Sequence, residues 1–344
     1  MKYSFFNDYS EGAHQNILNA LTETNLVQET GYGEDSFSLQ AATLIKEKTG
    51  NPDADVHFVS GGTQANLIVL ASILKSFEAV IAVNTAHICV HEAGAIEATG
   101  HKICTVMSKD GKIRPEQIQA VYDEHSDEHM VKPRVVFVSH STEVGTVYLK
   151  HELQAISEVC KRNGLYLYLD GARLGSALTS SQSDMSLAEV SSLVDVFYIG
   201  GTKNGALLGE AIVINNTQLK ENFRYHLKQR GALLAKGRVL GVQFLELFKD
   251  DLYLKLAKHA NVMAGKLTQG IREQGYEFLT DSTTNQIFPI FSSSLIEKLK
   301  DLYGFYIWSK IDEEKSSIRL VTSWATKEEA IDRFLEDLKT LATQ

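Results

Sequence analysis

Three short stretches of the chain hold residue types that could do chemistry, and each follows an apolar run. In "DVFYIGGTKNGALLGEAIVIN", residues 195 to 215, Lys203 stands among Gly200, Gly201 and Gly205. Glycine leaves room for a bulky molecule to approach the backbone, and partial desolvation lowers a lysine's pKa and makes it a nucleophile toward carbonyls. The commoner fate of a single lysine is to snorkel at a surface. In "LYLYLDGARLG", residues 165 to 175, Asp170 ends a run of Leu and Tyr. A carboxylate there is costly to desolvate unless a cation or donor meets it, and an ion pair with Arg173, three residues on, is the plain alternative to a functional role. In "HFVSGGTQANLIVL", residues 57 to 70, two glycines and Thr63 lead into a helical pattern. The unpartnered amides and the helix dipole make Gly62 and Thr63 a ready anion site, although neither a P-loop nor a G-x-G-x-x-G fingerprint is present, and a tight strand-to-helix turn with no ligand is the plain alternative.

Taken together, these parts match what pyridoxal phosphate needs: a phosphate cradle, a carboxylate that keeps the ring nitrogen protonated, and a lysine for the Schiff base. The elements that must position them are legible as well. Seven short runs, "DVHFVS", "AVIAVN", "KICTVM", "RVVFVS", "LYLYLD", "VDVFYI" and "EAIVI", are mostly apolar on consecutive positions, the pattern of strands covered on both faces. Helical patterns such as "QANLIVLASILKSF" and "KHELQAISEVCKRNG" alternate with them. The fold class expected is therefore α/β with an open, mostly parallel sheet, and ligands of such sheets sit outside the carboxyl ends of the strands. After Asn216 long helical stretches take over, followed by shorter strands at "NQIFPIF", "YGFYIWS" and "SSIRLVTS" and a closing helix from Lys327. This predicts a large unit, residues 1–250, and a smaller α+β unit, residues 251–344, divided where "KDD" interrupts a helical run.

With 344 residues and 44% hydrophobic content the chain can bury a substantial core. The net charge of −9, without a basic stripe, argues against nucleic acid as a partner. No apolar run has the length of a membrane span, and "MKYSFFNDYSEGAH" lacks the apolar stretch of a secretory signal, so a soluble, cytoplasmic protein is expected. Cys89, Cys104 and Cys160 form no C-x-x-C pair and are expected to be reduced and structural. His87 and His91 are four apart, but the spacing is not H-E-x-x-H and no third ligand is evident, so no metal is expected.

Several ordered segments carry a family resemblance. "GYGEDSF" at 31–37, "SGGTQANL", "NTAHICVHEAG" at 84–94, "LDGAR" and "IRLVTSWAT" resemble segments of the fold-type I pyridoxal-phosphate enzymes, and within them the low-specificity L-threonine aldolases and the related β-eliminating lyases. The resemblance implies a fold-type I transferase-like architecture with a seven-stranded sheet in the large domain. By it Lys203 would carry the Schiff base, Asp170 would pair with the pyridinium nitrogen, and His87 would stack on the cofactor. Arg173 and Arg319 would bind the substrate carboxylate, Gly62 and Thr63 would hold the phosphate, and Thr202 would add a hydroxyl. Tyr32 and Glu92 would sit at the site edge, with Tyr32 reaching across from a second subunit. Lys236, backed by Arg238, is the candidate for the partner-chain cation that caps the phosphate.

The chain departs from that pattern in three places. Thr202-Lys203-Asn204 replaces Ser-Lys-Gly, and Asn7-Asp8-Tyr9 replaces an N-terminal Ser-Asp-Thr near the substrate carboxylate. Glu143, in "SHSTEVGTVY", falls where the family usually has a histidine that touches the substrate hydroxyl. The activity implied is cleavage of L-threonine or L-allo-threonine to glycine and an aldehyde in a homodimer or homotetramer with shared sites. Glu143 keeps β-elimination or transamination of another amino acid open, with His87, Glu143 or a water as the base. A non-enzymatic α/β scaffold is the third reading.

Overall fold

A computed structural model describes residues 2–342; Met1, Thr343 and Gln344, which include the outer limits of the two expected units, lie outside the described residues. After a first strand β1 (Tyr3–Ser4), the seven apolar runs become β2 (Asp55–Val59), β3 (Glu78–Val83), β4 (Lys102–Val106), β5 (Lys132–Ser139), β6 (Tyr166–Asp170), β7 (Val196–Gly200) and β8 (Glu210–Ile214). They form one sheet in the order β2-β8-β7-β6-β5-β3-β4. Only β8 runs antiparallel to its neighbours, so the expected mostly parallel seven-stranded sheet is present. Every residue of β3, β7 and β8 is buried, which is why these strands are apolar at successive positions rather than at alternate ones.

From β3 the chain steps outward to β4, then returns to the other side of β3 as β5 and continues through β6 and β7. The reversal between β3 and β5 opens a crevice at their carboxyl ends. Register brings further strand ends to the same rim: Ser139 lies opposite Asp170, and Glu210 lies opposite both Gly200 and Val59. Two glycines make this convergence possible. A Cβ at Gly171 would lie 1.8 Å from the Tyr198 carbonyl oxygen, and one at Gly200 would lie 2.3 Å from that of Ala172.

The smaller unit contains β9 (Gln286–Ile287), β10 (Ile290–Ser292), β11 (Tyr303–Gly304), β12 (Tyr306–Lys310) and β13 (Lys315–Val321). Strand β13 is central, with β10, β12 and β9 antiparallel to it. The N-terminal strand joins this unit, because β1 pairs in parallel with β11 and Phe5 is buried against Tyr303 and Phe334. Sequence reading groups those residues with the large unit; a two-residue strand pairing across three hundred positions leaves no periodic trace. Helix Leu252–Glu273 connects the units. Its Tyr253 and Leu256 lie in the main core and its Met263, Leu267 and Ile271 in the second. Ahead of it, Asp250 and Asp251 take left-handed φ of 50° and 55°, so the interruption at "KDD" is a backbone turn. The three cysteines are free, and among the described residues no helix is long and apolar enough to cross a membrane.

Candidate active site

The rim holds two adjoining cavities, about 380 Å³ and about 740 Å³, that share His87, Glu143, Arg173 and Lys203. The inner one reaches Gly61, Gly62 and Thr63 at the end of β2, and the outer one reaches Arg319, Tyr306 and Trp308 of the smaller unit.

The anion turn is built as its sequence implies. Gly61 is extended and caps helix Gly62–Ile73 without any side-chain hydrogen bond, so the first amides of a twelve-residue helix face the inner cavity with no partner of their own. A Cβ on Gly62 would touch the Tyr198 hydroxyl at 3.0 Å, which places that phenol between the turn and Asp170.

Asp170 is 4% exposed, and Arg173, its plain alternative partner, is not among its donors. Its Oδ1 accepts from the Tyr198 hydroxyl at 2.5 Å and from the Ala172 amide at 3.0 Å, and its Oδ2 accepts from Asn66 Nδ2 at 3.2 Å. Burial and the nearby carboxylate hold the Tyr198 phenol far above its ordinary pKa, so it stays a donor. Asn66 also donates to Glu92 at 2.7 Å and accepts from the Tyr168 hydroxyl at 2.8 Å. Glu92 in turn meets His87 Nδ1 at 2.8 Å. A carboxylate accepts, so the His87 Nδ1–H donates to it. Glu92 thus lies behind His87 and joins it through Asn66 to Asp170.

Arg173 pairs with Asp8, not with Asp170. Its Nε and Nη2 donate to the two Asp8 oxygens at 2.7 and 3.0 Å, a fork-shaped pair with side chains 13% and 1% exposed. Asn285 donates to the same carboxylate at 2.8 Å. Burial alone would raise the Asp8 pKa, but Arg173 and Lys203 hold it below the ordinary carboxylate value. The Asn7 side chain is turned away into its own loop, accepting from Tyr9 N and Ser10 Oγ at 3.0 Å each. Arg319 lies over the rings of Tyr306 and Trp308, at 5.0 and 5.3 Å from their centroids, and its Nε is a buried donor without a partner. Of the two guanidiniums in the cleft, Arg173 has Asp8 as its carboxylate, and the unpartnered Arg319 Nε suits an anionic acceptor.

Lys203 lies at the junction of the two cavities. Burial and Arg173 push its pKa below the ordinary lysine value, opposed by Asp8, Asp170 and Glu210. The loop that carries it is tied at both ends: the Thr202 hydroxyl accepts from the Gly209 amide at 2.9 Å, and Asn204 donates to the Tyr253 carbonyl at 2.7 Å. Asn204 therefore anchors the lysine loop to helix Leu252–Glu273 where the family pattern has glycine. Glu210 accepts from the Gly201 amide at 3.0 Å, and burial raises its pKa. Glu143 accepts at Oε1 from the His87 amide and from Ser139 Oγ, while its Oε2 is buried without a partner.

The chain thus gathers Gly62, Thr63, His87, Glu143, Asp170, Arg173, Thr202, Lys203 and Arg319 around one cleft. It does not bring Tyr32 or Lys236 there. Tyr32 lies under Lys228, 4.7 Å from ring to ammonium, and its amide donates to the carbonyl of Ala235, next to the exposed Lys236. Four contributors escape sequence reading: Asn66, Tyr198, Glu210 and Asp8 as the partner of Arg173. Of these, only Glu210 carries a sequence signal, as the one charged residue of the strand "EAIVI". Among the described residues no group of three or more His, Cys, Asp or Glu is placed to hold a metal ion.

These residues fit pyridoxal phosphate. The uncapped helix start suits a phosphate, the buried and donor-held Asp170 suits a protonated ring nitrogen, and a lysine of lowered pKa stands within the same cavity. The Beta-eliminating lyase family model matches residues 10–293. The chain is 34% identical to the low-specificity L-threonine aldolase of Pseudomonas aeruginosa over 338 residues, 97% of this chain and 96% of that protein. A solved structure of Leishmania major threonine aldolase superposes with a TM-score of 0.97 at 49% identity, covering 98% of this chain and 99% of that one. An aspartate aminotransferase structure from Thermus thermophilus, 14% identical, shares the fold alone, with a TM-score of 0.73 over 99% of this chain and 91% of that one. On this family match and these relatives, the chain belongs to the β-eliminating lyase family of fold-type I pyridoxal-phosphate enzymes, alongside the low-specificity L-threonine aldolases.

Proposed function

We propose that the chain is a pyridoxal-phosphate-dependent aldolase that cleaves β-hydroxy-α-amino acids, L-threonine and L-allo-threonine among them, to glycine and an aldehyde. The observation that carries this reading is the convergence of Lys203, buried Asp170, Arg173 and Arg319 on one cleft. The relatives named for threonine aldolase activity support it.

The cofactor supplies an electron sink for the pair left at Cα. Gly62, Thr63 and Thr202 would hold its phosphate, Asp170 would face its ring nitrogen and His87 its ring, and Lys203 would be the amine for its aldehyde. Arg173 and Arg319 grip the substrate carboxylate and so orient the Cα–Cβ bond for breaking, since fixed geometry chooses which bond reacts. Incubation of purified holoprotein with threonine and allo-threonine should release glycine and acetaldehyde. Pyruvate or another keto acid, with no glycine, would show elimination or transamination instead, and protein that takes up no cofactor would leave only a scaffold role.

The site is completed in this reading by a second copy of the chain in a homodimer or homotetramer in the cytoplasm. The supporting observation is that Tyr32 and Lys236 share one patch outside their own chain's cleft. Mixed oligomers of Lys203→Ala and Lys236→Ala chains should then regain activity that neither parent shows; no recovery on mixing refutes the sharing.

A further inference from the structure

We infer that Glu143 is the acid–base residue for the substrate's β-oxygen, taking the hydroxyl proton during cleavage and returning it to the aldehyde oxygen in the reverse direction. The inference rests on the aldolase reading above and names the proton acceptor that reading leaves open. Three observations carry it. Glu143 lines both cavities, as do Lys203, Arg173 and His87. One of its oxygens is fixed: Oε1 accepts from the His87 amide at 3.0 Å and from Ser139 Oγ at 2.6 Å. The other, Oε2, is buried and has no hydrogen-bond partner. A buried carboxyl oxygen without a partner is expensive, and here it belongs to a group that lines the reacting space. A substrate hydroxyl supplies the missing donor.

His87 is less suited to the role. Its ring, held from behind by Glu92 at 2.8 Å, is the one assigned to the cofactor, whereas the buried Glu143 Oε2 has no other assignment. Burial raises the Glu143 pKa, and nearby Asp170 adds to this while Ser139 opposes it, which moves the group toward the range where a carboxylate is an effective base. The groups facing it are the His87 amide, Ser139, Asp170, Cys89, Tyr148, His91, Lys203 and Arg173.

The step balances. The β-hydroxyl proton passes to Oε2, the O–H electrons become the second carbon–oxygen bond of the departing aldehyde, and the Cα–Cβ pair stays with Cα. Cα is then protonated from Lys203 to give glycine. Solvent takes the proton from Glu143 and returns one to Lys203, so no oxidant or reductant is needed.

The test compares two reactions of the same holoenzyme. Exchange of glycine's Cα hydrogen with deuterated solvent needs the cofactor and Lys203 but no β-oxygen; cleavage of threonine needs both. Glu143→Gln should lower kcat/KM for cleavage at least about 100-fold, the usual size of general acid–base catalysis, and leave glycine exchange within about threefold. The acid limb of the wild-type cleavage profile, where activity falls as the carboxylate is protonated, should vanish in the glutamine variant and return in Glu143→Asp. Equal losses in cleavage and exchange would make Glu143 a structural brace and overturn the inference, as would full retention of both. Should the glutamine variant not fold, Ser139→Ala decides. It removes a donor that favours the carboxylate, so the acid limb must move to higher pH, and an unmoved limb refutes the role. A wild-type protein that exchanges glycine hydrogen but cleaves no β-hydroxy amino acid refutes the aldolase reading itself, an outcome distinct from those of the Glu143 variants.

Discussion

Replacing Asp8 by asparagine tests the site where its charge balance is tightest. Asp8 is the buried partner of Arg173, with two hydrogen bonds from the guanidinium and one from Asn285. Removing one partner of a buried pair costs about 3–5 kcal/mol. The asparagine keeps the shape and one acceptor, and the Arg173 side chain is 13% exposed toward the cleft, so the lower end, about 3 kcal/mol, applies. With an unfolding entropy of about 2.1 cal/mol/K per residue over the 344 residues, that is a fall in Tm of about 4 °C. The sign with pH follows from the lowered Asp8 pKa: its contribution is present above the ordinary Asp value and lost as pH falls through the folded value. The gap between wild type and Asp8→Asn should therefore close on acidification. In kinetics, a guanidinium freed from its fork binds the substrate carboxylate but orients it poorly, so kcat should fall about tenfold while KM moves less. Thermal melts from neutral to acidic pH and initial rates with threonine read out both effects. A variant with unchanged Tm at neutral pH and unchanged kcat would refute the assignment of Asp8 as the group that sets Arg173.

Two further outcomes concern the frame. Gly171→Ala places a Cβ 1.8 Å from the Tyr198 carbonyl, which the joined ends of β6 and β7 cannot absorb; a loss above about 3 kcal/mol is expected, read as a depressed Tm or insoluble expression. His140 is fully buried, and burial, helped by Lys112, holds its pKa at about 4. The unfolded chain takes up a proton that the folded one refuses as pH drops from about 6.5 to 4, so stability falls by up to about 3 kcal/mol over that window. His140→Asn should flatten that part of the stability profile, and an unchanged slope would count against it.

Much of the sheet was legible in the sequence because strands covered on both faces must be continuously apolar, and all seven runs became its strands. The residues at the ends of β2, β3, β6 and β7 were legible for a related reason: a charged or glycine-rich break after such a run has little structural excuse. What escaped was contact across sequence distance. Asp170 and Arg173 suggest a local pair, yet the arginine turns to Asp8, 165 positions earlier. The links from Asn66 to Tyr168, Asp170 and Glu92 join a helix to strand ends through polar atoms that no periodicity marks. The reversed direction of β8 was hidden too, because a buried antiparallel strand has the same apolar composition as a parallel one, and with it went the position of Glu210 at the cleft.

Helix Leu252–Glu273 has a consequence for how the molecule comes apart. Its first turns are sealed into the core that carries Lys203, and its later turns form one wall of the core that carries Arg319. Neither half can melt without exposing apolar surface of the other, so calorimetry should record a single endotherm for the folded chain. The same shaft ties the lysine loop, through Asn204 and Tyr253, to the unit that carries the second arginine.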